Sequence, residues 1–172
     1  GAIVPIIVST DDGYDGTLPA GDGQEQSDMY VDYAIKSGVN YFDVAPKYGN
    51  AQGRLGRSLI PHRNEVLLAC KTLFRTAEDA QHDLENSLKL LQTDHFDVYQ
   101  MHALTTVEQV DAAFSKGGCM NVMLRAKEEG IVRHLGITCH SEEATLRALS
   151  LYDFDTVLFP TNWALHLRRG FG

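Results

Sequence analysis

Six short apolar runs recur along this chain, each followed by a polar turn and then, for the first five, a stretch with helical spacing. The runs are Ala2–Val8, Asn40–Val44, Val66–Lys71, Phe96–Met101, Arg133–Thr138 and Thr156–Pro160. Polar or ionisable residues close these runs or follow them at once. Asp43, Lys71, His102, Thr138 and Asn162 stand 28, 31, 36 and 24 residues apart in turn. Those are the lengths of βα units, and alternating βα units build a parallel sheet. The runs VLLAC and TVLF are apolar at consecutive positions, as strands covered by helices should be. Reactive side chains at one end of successive parallel strands are the layout of a (β/α)8 barrel site. The expected class is therefore α/β, of TIM-barrel type. A closed barrel takes about 250 residues and rarely fewer than about 200. The 172 residues here are expected to form one partial barrel domain, residues 1–172, with about six of the eight βα units.

The connecting segments carry helix signals. Asp28–Lys36 reads as a helix with Ser27 as N-cap and Gly38 as its stop. A short helix, Ala51–Leu59, is expected to end before Pro61. Thr76 caps the next, with Glu78 and Asp79 in the first turn, where the helix dipole favours them. Its buried stripe is Leu84, Leu88 and Leu91. Further helices are expected at Val107–Phe114, at Asn121–Glu129 with Gly130 after it, and beyond Ser141 with Glu142 and Glu143 in the first turn. The Gly/Asp-rich stretch at about 11–24 reads as a flexible loop.

Several function classes are excluded by charge and pattern. A net charge of −8 argues against nucleic acid, which calls for a basic surface. No apolar stretch approaches the roughly 20 residues of a membrane span. The first run lacks a basic flank and reads as a strand, not a signal peptide; because the chain starts at Gly1, its beginning is expected to have been trimmed. Three cysteines without close spacing suggest reduced thiols and a cytoplasmic setting. No GxGxxG is present, and GNAQGRLG lacks the ending of a phosphate loop, so its glycines are expected to serve a tight turn and close helix packing. The seven histidines include no HxH or HExxH, so no metal is expected.

Asp43, Tyr48, Lys71 and His102 suit one chemistry, protonation of a carbonyl by a tyrosine of tuned acidity. Each alone has a plainer reading: a turn cap for Asp43, a surface turn residue for Tyr48, a solvated strand end for Lys71, a satisfied rim histidine for His102. Together they form one candidate site. Lys47, beside Tyr48, is expected to be exposed and uninvolved.

The run Tyr41–Asn50, YFDVAPKYGN, resembles the strand-two signature of the aldo-keto reductases. VLLACK and FDVYQMH are similar to that family's third and fourth strands, and Leu135-Gly136-Ile137-Thr138 to its fifth. The resemblance runs from about Gln24 to the end of the chain. It implies an oxidoreductase that reduces aldehydes or ketones to alcohols with a hydride from NADPH. Tyr48 would be the proton donor, with its pKa, ordinarily about 10, lowered by the Lys71 ammonium. Asp43 would hold Lys71 charged and contact the cofactor, and His102 would orient the carbonyl. Thr138 would meet the nicotinamide carboxamide, with Asn162 helping and Trp163 lining the substrate pocket or simply packing. The chain departs from the commoner pattern at Cys139-His140-Ser141, and Leu158 stands where a glutamine is usual.

The resemblance implies that strands seven and eight carry much of the cofactor site, so this chain is expected to hold NADPH weakly and to leave two strand edges open. The expected partner is a small carbonyl compound; substrate identity and oligomeric state are not legible. Two alternatives stay open, a Schiff-base lyase using Lys71 and a non-catalytic barrel that binds or regulates a partner.

Overall fold

The computed structural model describes residues 6–7 and 23–161. Six strands alternate with helices: β1 (Ile6–Ile7), α1 (Gly23–Lys36), β2 (Tyr41–Asp43), α2 (Ala51–Leu59), β3 (Leu67–Thr72), α3 (Ala77–Leu90), β4 (Phe96–Leu104), α4 (Val107–Phe114), α5 (Met120–Glu128), β5 (Val132–Cys139), α6 (Glu142–Leu151) and β6 (Thr156–Leu158). All strand pairs are parallel, and the sheet runs in chain order from β1 to β6. That order is decisive. Parallel crossovers are right-handed, so strands added always on the same side put every helix on one face. A doubly wound sheet would reverse its order and have helices on both. The result is a curled half-barrel with helices outside.

Two layers follow from the strand alternation. Phe42, Leu68, Cys70, Tyr99 and Ile137 join Leu55, Leu84 and Met123 of the helices in the buried core. On the helix-facing side, Gln52 of α2 donates to Ser87 of α3 at 2.8 Å and to the Cys70 sulfur at 3.4 Å. The opposite side of the sheet carries a row in register: Lys71, Gln100, Gly136 and Thr156. At the other end of the strands Asp97 ties β3, β4 and β5 together. It accepts the Leu68 N–H at 2.9 Å and pairs with Arg63 at 3.0 Å and Arg133 at 2.6 Å. These bonds anchor the bottom of the sheet and leave its other end to the reactive groups.

Two of the expected helix caps form. Thr76 and Ser141 accept the N–H of Asp79 and Ala144, each at 3.3 Å. Gly49 has φ 53 at the turn into α2, and Gly56 lies against α3, as the two roles expected of those glycines require. The start of α1 differs from expectation. The helix begins at Gly23, so Gly23 and Gln24 are not loop, and Ser27 is a buried residue within it instead of its cap. Tertiary bonds outweigh the capping signal here. Ser27 shares a hydrogen bond with Ser58 of α2 at 3.1 Å, and Gln24 donates to the Ser58 hydroxyl and the Arg54 carbonyl. Beyond α2 the chain makes a 3-10 turn, Ile60–Glu65, around Pro61. β4 runs on to Leu104, past the expected end, and β6 stops short of Pro160.

A Cβ on Gly56 would sit 2.4 Å from the Leu90 carbonyl oxygen, whereas one on Gly53 of the same helix meets nothing. Gly56→Ala should therefore destabilise the fold by about 1–3 kcal/mol through overpacking. Gly53→Ala should be neutral or stabilising by up to about 1 kcal/mol. Urea unfolding of the two variants checks this, and equal effects would contradict the packing account.

Candidate active site

Asp43, Lys71, His102 and Thr138 come from β2, β3, β4 and β5 at the C-terminal end of the sheet, and Tyr48 from the turn between β2 and α2. The turn is fixed by its backbone: the Tyr48 N–H donates to the Ala45 carbonyl at 3.0 Å, and the Ala51 N–H to the Tyr48 carbonyl at 2.9 Å. Asp43 is 4% exposed and Lys71 0%. The Lys71 ammonium donates to Asp43 Oδ2 in a tight ion pair and lies 3.4 Å from the Val44 carbonyl. It also sits 5.3 Å from the centre of the Tyr48 ring, over its face. The Tyr48 and His102 rings meet edge to face, 6.1 Å apart. The four residues expected to act together are thus one cluster, with Tyr48 and His102 half-buried at its mouth. Lys47 is exposed, as expected.

The electrostatics depart from expectation at Tyr48. Its phenol is pushed up from the ordinary value, first by burial and then by the Asp43 carboxylate and Cys70. The expected lowering by Lys71 does not dominate, because that ammonium is paired with Asp43. Burial likewise raises the Asp43 carboxyl, with Lys71 pulling the other way. His102 is pushed down to about 4, chiefly by burial, then by the electrostatic effect of Lys71, His140, Arg75 and Lys47 around it. A ring so placed is neutral at pH 7. Asp43 Oδ1 is buried and has no hydrogen-bond partner among the described residues.

Thr138 is 4% exposed. Its hydroxyl lies 2.8 Å from His102 Nδ1 and accepts the Ala103 N–H at 2.7 Å. Leu158 is its neighbour on β6, and that residue is 48% exposed. Asn162 and Trp163 lie outside the described residues. Two residues beside His102 carried no signal in the sequence. Arg75 donates to the His102 carbonyl at 2.6 Å and to the Leu73 carbonyl at 3.0 Å. Ala103 has φ 55, and the β4–β5 register shifts between Met101 and Leu104. Nothing in a non-glycine Ala103 announces a left-handed residue; it sits in the bulge directly after His102.

Comparison with known proteins agrees on one family. The aldo/keto reductase family model matches residues 16–162. The aldo-keto reductase YhdN of Bacillus subtilis is 32% identical over 154 residues, covering 78% of this chain and 44% of its own length. A Klebsiella pneumoniae aldo-keto reductase in complex with NADPH superposes with a TM-score of 0.65 at 22% identity, over 83% of this chain and 47% of that one. The holo form of the Bacillus halodurans aldo-keto reductase AKR11C1 gives 0.68 at 21% identity, over 82% and 50%. The chain spans about half the length of these relatives.

The depressed His102 value sets a direction for acid. The folded ring titrates near 4 and the unfolded one near its ordinary 6.5, so between those values the unfolded chain holds more protons. The contribution is complete above about pH 6.5 and declines as the pH falls toward 4. NMR titration of the His102 ring should give a midpoint near 4, and an ordinary midpoint would refute its burial and charge environment.

Proposed function

Because this chain belongs to the aldo/keto reductase family, we propose that its Asp43–Tyr48–Lys71–His102 cluster reduces the carbonyl of a small aldehyde or ketone to an alcohol. One observation carries the proposal most directly. A half-buried phenol and a neutral imidazole meet edge to face beside a fully buried ammonium. That arrangement supports reading Tyr48 as a proton donor and His102 as a carbonyl-orienting donor, with Lys71 beside them.

NADPH, when bound, supplies the hydride that adds to the carbonyl carbon. The residues present suit such a cofactor at one atom in particular. Asp43 Oδ1 is a buried acceptor without a partner among the described residues, and a sugar hydroxyl is the kind of donor it lacks. Thr138 and Asn162 are the other cofactor contacts of the proposal.

Each residue then has a task. The neutral His102 donates an N–H to the carbonyl oxygen and orients it. Tyr48 gives its proton to the oxygen as negative charge develops there. A raised phenol pKa keeps that proton in place through the neutral range. The developing alkoxide is a far stronger base than a phenolate, so transfer remains favourable. Lys71 stabilises the phenolate left behind, and Asp43 keeps Lys71 charged in a site where an isolated ammonium would tend to neutralise. A Schiff-base role fits Lys71 poorly: a nucleophilic amine must be neutral and reachable, and this one is ion-paired and 0% exposed. The free buried thiols of Cys70, Cys119 and Cys139 suit the reducing cytoplasm, where we place the protein.

Tyr48→Phe should lower turnover of an aldehyde by roughly 10²–10⁴-fold, the scale of a lost general acid, while NADPH affinity changes little. Stopped-flow absorbance of NADPH and a fluorescence titration measure the two. Wild-type turnover in the variant would contradict the proton-donor role.

A further inference from the structure

Thr138 holds two neighbouring groups at once. Its hydroxyl serves two consecutive residues of β4. It accepts the Ala103 N–H at 2.7 Å and lies 2.8 Å from His102 Nδ1. The backbone between those two contacts is the bulge, where Ala103 takes φ 55 and the register with β5 slips. From the other side Arg75 holds the His102 carbonyl at 2.6 Å. The imidazole is therefore fixed at its backbone and at one ring nitrogen, and Nε2 has no hydrogen-bond partner among the described residues.

The hydrogen count selects a tautomer. A threonine hydroxyl has one proton to give and two lone pairs. The Ala103 N–H can only donate, so it takes one lone pair. Among the described residues, His102 Nδ1 is the acceptor within reach of the hydroxyl proton. A hydroxyl on a residue 4% exposed needs such an acceptor. When the hydroxyl donates to Nδ1, a neutral ring must hold its single hydrogen on Nε2. We propose that Thr138 is the positioning residue that locks His102 in the Nε2–H tautomer and so makes it a hydrogen-bond donor toward the substrate. The depressed pKa of His102 is consistent, since it keeps the ring neutral and the tautomer meaningful. The importance for carbonyl reduction rests on the functional reading above; the tautomer itself does not.

The test uses the whole chain labelled with 15N in its histidines. Two-bond 1H–15N correlations report which ring nitrogen carries hydrogen, without cofactor or turnover. In the wild type at neutral pH, His102 should show a bare, acceptor-type Nδ1 and a protonated Nε2. Thr138→Val removes the hydroxyl at nearly the same volume and should give a mixture of tautomers. Thr138→Ser should retain the single wild-type form. In the turnover assay Thr138→Val should lower kcat/KM for the aldehyde by about three- to tenfold, the scale of one hydrogen bond, and Thr138→Ser should restore it. Hydrogen on Nδ1 in the wild type, or an unchanged single tautomer in Thr138→Val, would overturn the proposal. The expected tautomers in a wild type that reduces no carbonyl would uphold the positioning of His102 and count against the reductase reading instead. If Thr138→Val does not fold, the wild-type and Thr138→Ser spectra still decide the tautomer.

Discussion

The Asp43–Lys71 ion pair is the interaction on which the site depends. Its members come from adjacent parallel strands, β2 and β3, and are 4% and 0% exposed. Taking both charges out of water is costly, and removing one partner of such a pair typically destabilises by about 3–5 kcal/mol because the other charge is left alone. A buried pair of this kind is weak evidence for stability as such. Its consequence is local: a positive charge held under the Tyr48 ring and close enough to His102 to disfavour a second one. The same pairing explains why Tyr48 is not acidified. Burial raises the phenol most, and the carboxylate that holds the ammonium adds to it.

The sheet sets where this pair can stand. Strand order without reversal puts all helices on one side, so the opposite side carries the row Lys71, Gln100, Gly136 and Thr156. A Cβ at Gly136 would lie 2.1 Å from the Thr156 hydroxyl and 3.0 Å from Gln100. The row is closely packed where the strands are paired, and Asp97 with its two arginines pins the end away from the site. Among the described residues β6 is the last strand of the sheet, and its Val157 and Leu158 are exposed. Chemistry and anchoring therefore occupy opposite ends of the same strands.

Much of this was legible because it follows from short-range pattern. The apolar runs Asn40–Val44, Val66–Lys71 and Arg133–Thr138 became strands, and Ala51–Leu59 and Val107–Phe114 became helices with the expected bounds. The caps at Thr76 and Ser141 are local devices and read well. What escaped is set by contacts distant in sequence. The early start of α1 rests on Gln24 and Ser27 meeting Ser58, some thirty residues on. The bulge after His102 needs Thr138 and Arg75 from other strands and turns, and an alanine gives no hint of it. The direction of the Tyr48 shift depends on how burial, Asp43 and Lys71 balance in space. Asn162 and Trp163 and most of the Gly/Asp-rich loop fall outside the described residues, so those expectations stand as they were drawn from sequence.

The central claim is that this cluster directs hydride to a carbonyl carbon. It is tested most directly by incubating the chain with an aldehyde and NADPH deuterated at the transferable position, in excess, and examining the product by mass spectrometry. The account predicts an alcohol carrying one deuterium on the former carbonyl carbon. A folded, cofactor-bound chain that yields no alcohol, or an alcohol without deuterium there, would contradict it.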